Sequence, residues 1–231
     1  MRKTRLSLSL ASLIAANLVP LVGVLFLGWD AAFIVLLYWT ENIVIGFYSM
    51  LKIALLRVEH PLLHLGKFLA IPFFTVHFGG FCAVHGIFLL EFFKLGGETG
   101  SALTSGPSWV GPFVFVQLLV SVIKQLWQNH PAGMQWPVLG LLVSHGISFF
   151  QNFVGKKEYA ELTTQKLMAQ PYRRIVVMHL AIIAGAIPIM LLESPATLLC
   201  ILVLLKIGLD VHLHLKERRT SAREQEPENT G

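Results

Sequence analysis

Asp30–Ile53, DAAFIVLLYWTENIVIGFYSMLKI, is apolar for long enough to cross a bilayer, yet it carries Glu41 about eleven residues in. A helical span needs about 20 apolar residues. A carboxylate near the middle of a bilayer costs roughly 2.5 kcal/mol or more, so such a residue is kept for a partner or a job. Working outward, other apolar segments carry His77, His85, His145, Asn152, His179, Lys206 and Asp210. The pattern predicts a membrane protein with an internal polar site.

Composition agrees. Of 231 residues, 55% are hydrophobic and 13% charged, where soluble domains carry about 25% charged residues. The formal charge of +5 comes largely from Lys and Arg in connecting segments, so it reports topology and contact with anionic lipid. No Arg-rich strip with interleaved aromatics is present, and no nucleic-acid partner is expected. Met1-Arg2-Lys3-Thr4-Arg5 resembles a signal peptide, but the apolar run continues through Leu27 without an Ala-x-Ala site, which predicts an uncleaved first span. Cys82 and Cys200 both lie in apolar segments and read as core thiols.

The fold class expected is an all-α polytopic membrane bundle. Six transmembrane helices are read at about 7–27, 30–53, 67–93, 134–154, 174–192 and 195–213. Residues 109–127 read differently. Gln117, Ser121, Lys124 and Gln128 recur at spacings of four, three and four, which puts them on one face of an amphipathic interfacial helix that does not cross. With six spans, every basic segment falls on one side: the amino terminus, the loop with Lys52, Arg57 and Lys67, the loop with Lys156, Lys157, Lys166, Arg173 and Arg174, and the tail with Lys216, Arg218, Arg219 and Arg223. Both termini are then cytoplasmic. Residues 1–219 form the transmembrane domain, and 220–231 are expected to be a disordered tail. No internal repeat is present to support an inverted-repeat transporter.

A rise of 1.5 Å per residue converts position into depth. Glu41 lies about 17 Å from the outer boundary, His77 about 15 Å from the inner one and His145 about 17 Å from the outer one, so the three share a middle layer. His179 and Asp210 share an inner layer. Histidine and carboxylate from different helices at one depth are the parts of a metal site in a helical bundle, and imidazole with carboxylate suits zinc or iron. The metal set read from the sequence is Glu41, His77, His145, His179 and Asp210, with Glu41 or Asp210 as catalytic proton shuttle. Plainer roles stand beside it. Glu41 and Lys206 share a depth and would neutralise each other as an ion pair; His77 could hydrogen-bond a carbonyl or a Tyr hydroxyl between helices; His179 and Asp210 could be a helix–helix contact. His85 is rotated away from His77, His212 reads as interfacial, and His60, His64 and His130 fall in loops. Ser144-His145-Gly146 lacks the first glycine of a nucleophile elbow, and no His-Glu-x-x-His, phosphate-loop or dinucleotide pattern occurs.

The segments Tyr38-Trp39-Thr40-Glu41-Asn42-Ile43-Val44-Ile45-Gly46, Phe73–Gly79, Ser144–Phe150, Pro171–His179 and Lys206–Asp210 together resemble a family of uncharacterised prokaryotic inner-membrane proteins, over most of the chain. The resemblance implies an inner-membrane location and no established activity. Phe73-x-x-x-His77 and Phe81-x-x-x-His85 also resemble one motif of the prenyl-protein-type intramembrane proteases, but that family's Glu-Glu-x-x-x-Arg motif is absent here. The residue types, without the spacing, are similar to those of zinc-dependent membrane ceramidases. The expectation is metal-dependent hydrolysis of a lipid or peptide within the membrane; a haem-binding redox protein and a non-catalytic small-molecule carrier are the alternatives.

Overall fold

In the computed structural model, residues 18–56, 61–95, 109–129, 131–157, 159, 162–192, 196–208 and 211 are described, with the backbone course alone for 61–65 and 182–192. All regular structure among them is helical. The helices are α1 (18–26), α2 (Ala31–Leu55), α3 (Pro61–Phe92), α4 (Val114–Asn129), α5 (Gln135–Ser148), α6 (Thr164–Leu192) and α7 (Ala196–Gly208). A 3₁₀ turn, Gly111–Phe113, leads into α4, and a π-helix, Phe149–Gly155, continues α5.

The described parts of the predicted spans are helical but for end residues, residues 7–17 of the first and 195, 209–210 and 212–213 of the last lying outside the described residues. Three stretches among the described residues, Ala31–Leu55, Gly66–Phe92 and Gln135–Gly155, are long and apolar enough to cross a membrane; Ala196–Gly208 is apolar but shorter. The largest departure is in α6. The sequence reading begins that span at Arg174 because the residues before it are polar and basic, whereas the helix begins ten residues earlier. Its first turn is capped in the usual way: the Thr163 hydroxyl accepts the Lys166 amide at 3.3 Å, and the Leu167 amide donates to the Thr163 carbonyl. The polar stretch is therefore the first three turns of the helix.

The chain divides into two compact units, one of residues 32–176 and one of residues 1–31 with 177–231. In the second, α1 ends at Gly28, whose φ of +70° suits glycine, and the Trp29 amide donates back to the Gly23 carbonyl. The first unit holds Glu41, His77, His85 and His145. Its helix directions follow from side-chain contacts. Glu41 meets His145 and Tyr48 meets Phe149, so α2 and α5 run the same way. Ile53 and Leu167 share one apolar cluster while Glu41 meets Arg174, so α6 runs against α2.

That cluster gathers the end of α2, the start of α3, the π-helix and the start of α6 around Phe74, Phe78, Phe149 and Phe153. Lysines lie at this end of the unit. Lys67 donates to the carbonyls of Ala54 and Leu56 at 2.8 and 2.7 Å, satisfying acceptors that the end of α2 would otherwise leave open. Lys52 stands 5.5 Å from the centre of the Phe153 ring.

The amphipathic helix is present as α4, but α3 positions it. Phe115 lies against Gly80 and Val122 against Gly86, so α4 runs parallel to α3 along its small-residue face. Gly86 has no room for more: a Cβ there would fall 2.5 Å from Val122 and 2.7 Å from the Trp39 indole. Val122 and Leu126 are buried, while Lys124 and Gln128 are exposed. The four-three-four spacing matches burial only in part, because Gln117 and Ser121 are half-buried while Val120, Ile123 and Trp127 are exposed.

Candidate functional site

Glu41, His145 and Arg174 are each the eleventh residue of their helices, about 15 Å from the respective helix starts. Because α6 runs against the other two, that distance is measured from opposite ends of the bundle and the three still meet at mid-height. Arg174 Nη2 donates to Glu41 Oε2 in a charge-assisted hydrogen bond. On the other side of the carboxylate, Glu41 Oε1 lies 3.7 Å from His145 Nε2. The Tyr38 hydroxyl, one turn earlier on α2, lies within electrostatic reach of both Glu41 and Arg174.

The cluster is not sealed. Side-chain exposure is 18% for Glu41, 29% for His145 and 36% for Arg174. Taking opposite charges into an apolar surrounding is costly unless geometry and further hydrogen bonds offset it, and here the Arg174 and His145 side chains stay partly exposed. The arrangement offers a donor fork, an acceptor and a group able to play either role within one site.

His145 is set in place by its neighbours. Tyr48 stacks near its ring, with centroids 6.3 Å apart, and donates its hydroxyl to the Leu142 carbonyl at 2.9 Å. Gly146 accommodates that hydroxyl, since a Cβ there would lie 2.8 Å from it. Immediately beyond, α5 widens into the π-helix at Phe149, a departure that is often found beside functional sites.

His77 takes a different partner. Its Nδ1 is hydrogen-bonded to the Tyr172 hydroxyl at 2.7 Å, and its ring stacks on Phe73 with centroids 5.2 Å apart. Tyr172 and Arg174 are two residues apart and so project about 200° from each other. His77 and Glu41 consequently meet opposite faces of α6, and the middle layer expected from depth alone divides into two contacts. Of the roles weighed for His77, the contact present is the one with a Tyr hydroxyl.

His179 belongs to the other unit, as does Lys206, and Asp210 lies outside the described residues, as do His60, His130, His212, His214 and the tail 220–231. His85, the weaker candidate, is buried and lies near Phe81. Among the described residues, no group of three or more His, Cys, Asp or Glu is placed to hold a metal ion. The residue missed by sequence reasoning is Arg174. The signal for it was available: Thr163 as a helix cap would have started the helix early enough to carry Arg174 to mid-span.

The chain belongs to DUF6498, a family of unknown function whose match covers residues 1–227. No curated protein and no solved structure matches it.

Proposed function

We propose that this is an integral membrane protein that binds the polar group of a small or lipid-like molecule at Glu41, Arg174 and His145, with Glu41 and His145 exchanging a proton as the ligand binds or reacts. One observation carries the proposal: a carboxylate held by Arg174 on one oxygen faces an imidazole with the other, and the cluster remains open at the mid-height of apolar helices. An ion pair kept for structure alone gains little in such surroundings, because its desolvation offsets its attraction. The proposed setting is a prokaryotic inner membrane, with six spans, the Lys52, Lys67 and Lys156 end facing the cytoplasm, and both termini on that side. Among the three readings of the sequence, this is closest to the carrier.

Extraction of the purified protein followed by mass spectrometry tests the proposal. The wild type should retain a small molecule that is lost from Glu41→Gln with Arg174→Met, a pair of changes that removes both charges together. The reading fails if wild type and double variant release the same compounds in the same amounts.

A metal-dependent hydrolase is the second reading, favoured by one distance. Two ligands of a tetrahedral zinc at about 2.0–2.2 Å from the metal lie roughly 3.4 Å apart, close to the 3.7 Å between Glu41 Oε1 and His145 Nε2. Such a site would need a third donor beyond these two and the release of Arg174. Zinc or iron at one equivalent in the wild type, lost in His145→Ala, would favour this reading over the first.

A further inference from the structure

A second feature of the same unit is a cavity of about 250 Å³ enclosed by α2, α4 and α5. Its floor is Trp39, Val44 and Leu126, all buried, and its rim is Trp127, Gln135 and Leu142, all exposed. The cavity is therefore open to the surroundings of the bundle. Among the described residues, no charged side chain lines it. Thr40, one of its few polar neighbours, already donates its hydroxyl to the Leu36 carbonyl, and Gln135 stands at the rim.

Water needs two to four polar partners to settle in a cavity, and this one does not supply them. Left empty, the lining would forfeit dispersion contacts on one side. A polar or charged headgroup would leave its own hydrogen-bonding groups unmet against Val44 and Leu126. The neutral, aliphatic and aromatic lining matches only an apolar occupant, and beside helices apolar enough to cross a bilayer the abundant apolar species is the alkyl chain.

We infer that this cavity takes the alkyl chain of a membrane amphiphile, with Trp39 at its inner end and Trp127 and Gln135 at its mouth. The inference rests on the membrane setting proposed above but not on the Glu41 site, since Glu41, His145 and Arg174 are not among the residues that line the cavity. Trp39 makes the site readable. At 2% exposure, with its indole N–H donated to the Cys82 carbonyl, it is shielded from its surroundings, and it lines the cavity.

The test uses the full chain with Trp39 as the only tryptophan, Trp29, Trp109, Trp127 and Trp136 being changed to Phe. It is reconstituted into phosphatidylcholine vesicles with and without bromine in the middle of the acyl chains. Trp39 emission should fall in the brominated vesicles, and adding Val138→Phe, which fills the cavity, should abolish the loss while helical circular dichroism stays unchanged. Equal Trp39 emission in both vesicles, or equal quenching after filling, overturns the inference. Wild-type protein controls for the setting: quenching of its exposed tryptophans without quenching of Trp39 leaves the membrane reading standing, whereas no quenching of any tryptophan removes both. Should the single-tryptophan chain not fold, native mass spectrometry of wild type against Val138→Phe decides it, because a retained amphiphile lost on filling is the expected result and equal retention refutes it.

Discussion

The seam between α2, α3 and α4 and the seam between α2, α5 and α6 are built on opposite rules. In the first, shape does the work: Gly46 receives the Phe78 ring, Gly86 receives Val122 and Trp39, and the buried Trp39 indole N–H donates to the Cys82 carbonyl. In the second, Glu41, Arg174 and His145 meet as charges and dipoles and remain partly open. A close-packed apolar seam specifies structure but has no chemistry to offer. An open polar seam at the same height adds cost to the fold, and natural proteins retain such cost at sites of function.

The largest effect expected is on the first seam. Gly86→Leu forces atoms into space already held by Val122 and Trp39, and overpacking of this kind destabilises by up to about 3 kcal/mol. Thermal unfolding in detergent should show a large fall in midpoint, with Trp39 fluorescence shifted as its packing is lost. A midpoint within error of the wild type would mean that α4 is not held against α3 as described, and the contrast between the seams would lose its apolar half.

How much of this was legible in the sequence differs between the two seams for a physical reason. That these segments are helical follows from local composition and periodicity, which a sequence displays directly. Depth is nearly as direct, and it placed Glu41 and His145 at one level. Rotation about the helix axis relative to distant partners is not local. Depth alone could not separate His77, on one side of α6, from Glu41, on the other. Arg174 was hidden by a different assumption, that a span starts where its apolar residues start. The cap at Thr163 and the long aliphatic stem of arginine let a charged group belong to the middle of a helix whose first turns are polar. The π-helix after Ser148 had no sequence signal that we can identify.

An intermediate effect is expected on the polar seam, and it sharpens the contrast. Arg174→Met leaves the Glu41 carboxylate without its charged donor, a loss of about 2 kcal/mol for a hydrogen bond to a charged group. Glu41→Gln alone strands the guanidinium in the same way. Combining the two should restore most of the stability, because neither charge is then left unpaired. A double variant as unstable as the sum of the singles would show that the residues act independently, and the seam would not be a coupled charge network.

The smallest effect is reserved for the contact that stands between the two rules, His77 with Tyr172. It is a hydrogen bond between two side chains, set among Phe73, Phe74, Phe78 and Phe81, so it combines polar pairing with aromatic packing. Tyr172→Phe keeps the ring and removes the hydroxyl, and the cost should be about 1 kcal/mol, the net worth of one such bond. His77→Phe in that background should add little, since the partner of its Nδ1 is already gone. Because Tyr172 and Arg174 use opposite faces of α6, neither change should alter what is bound at Glu41. Unfolding midpoints of the two singles and the double give the coupling directly, and extraction with mass spectrometry gives the binding. A His77→Phe variant that folds normally yet loses the ligand found in the wild type would join His77 to the Glu41 site after all, and would overturn the division of the middle layer into two contacts.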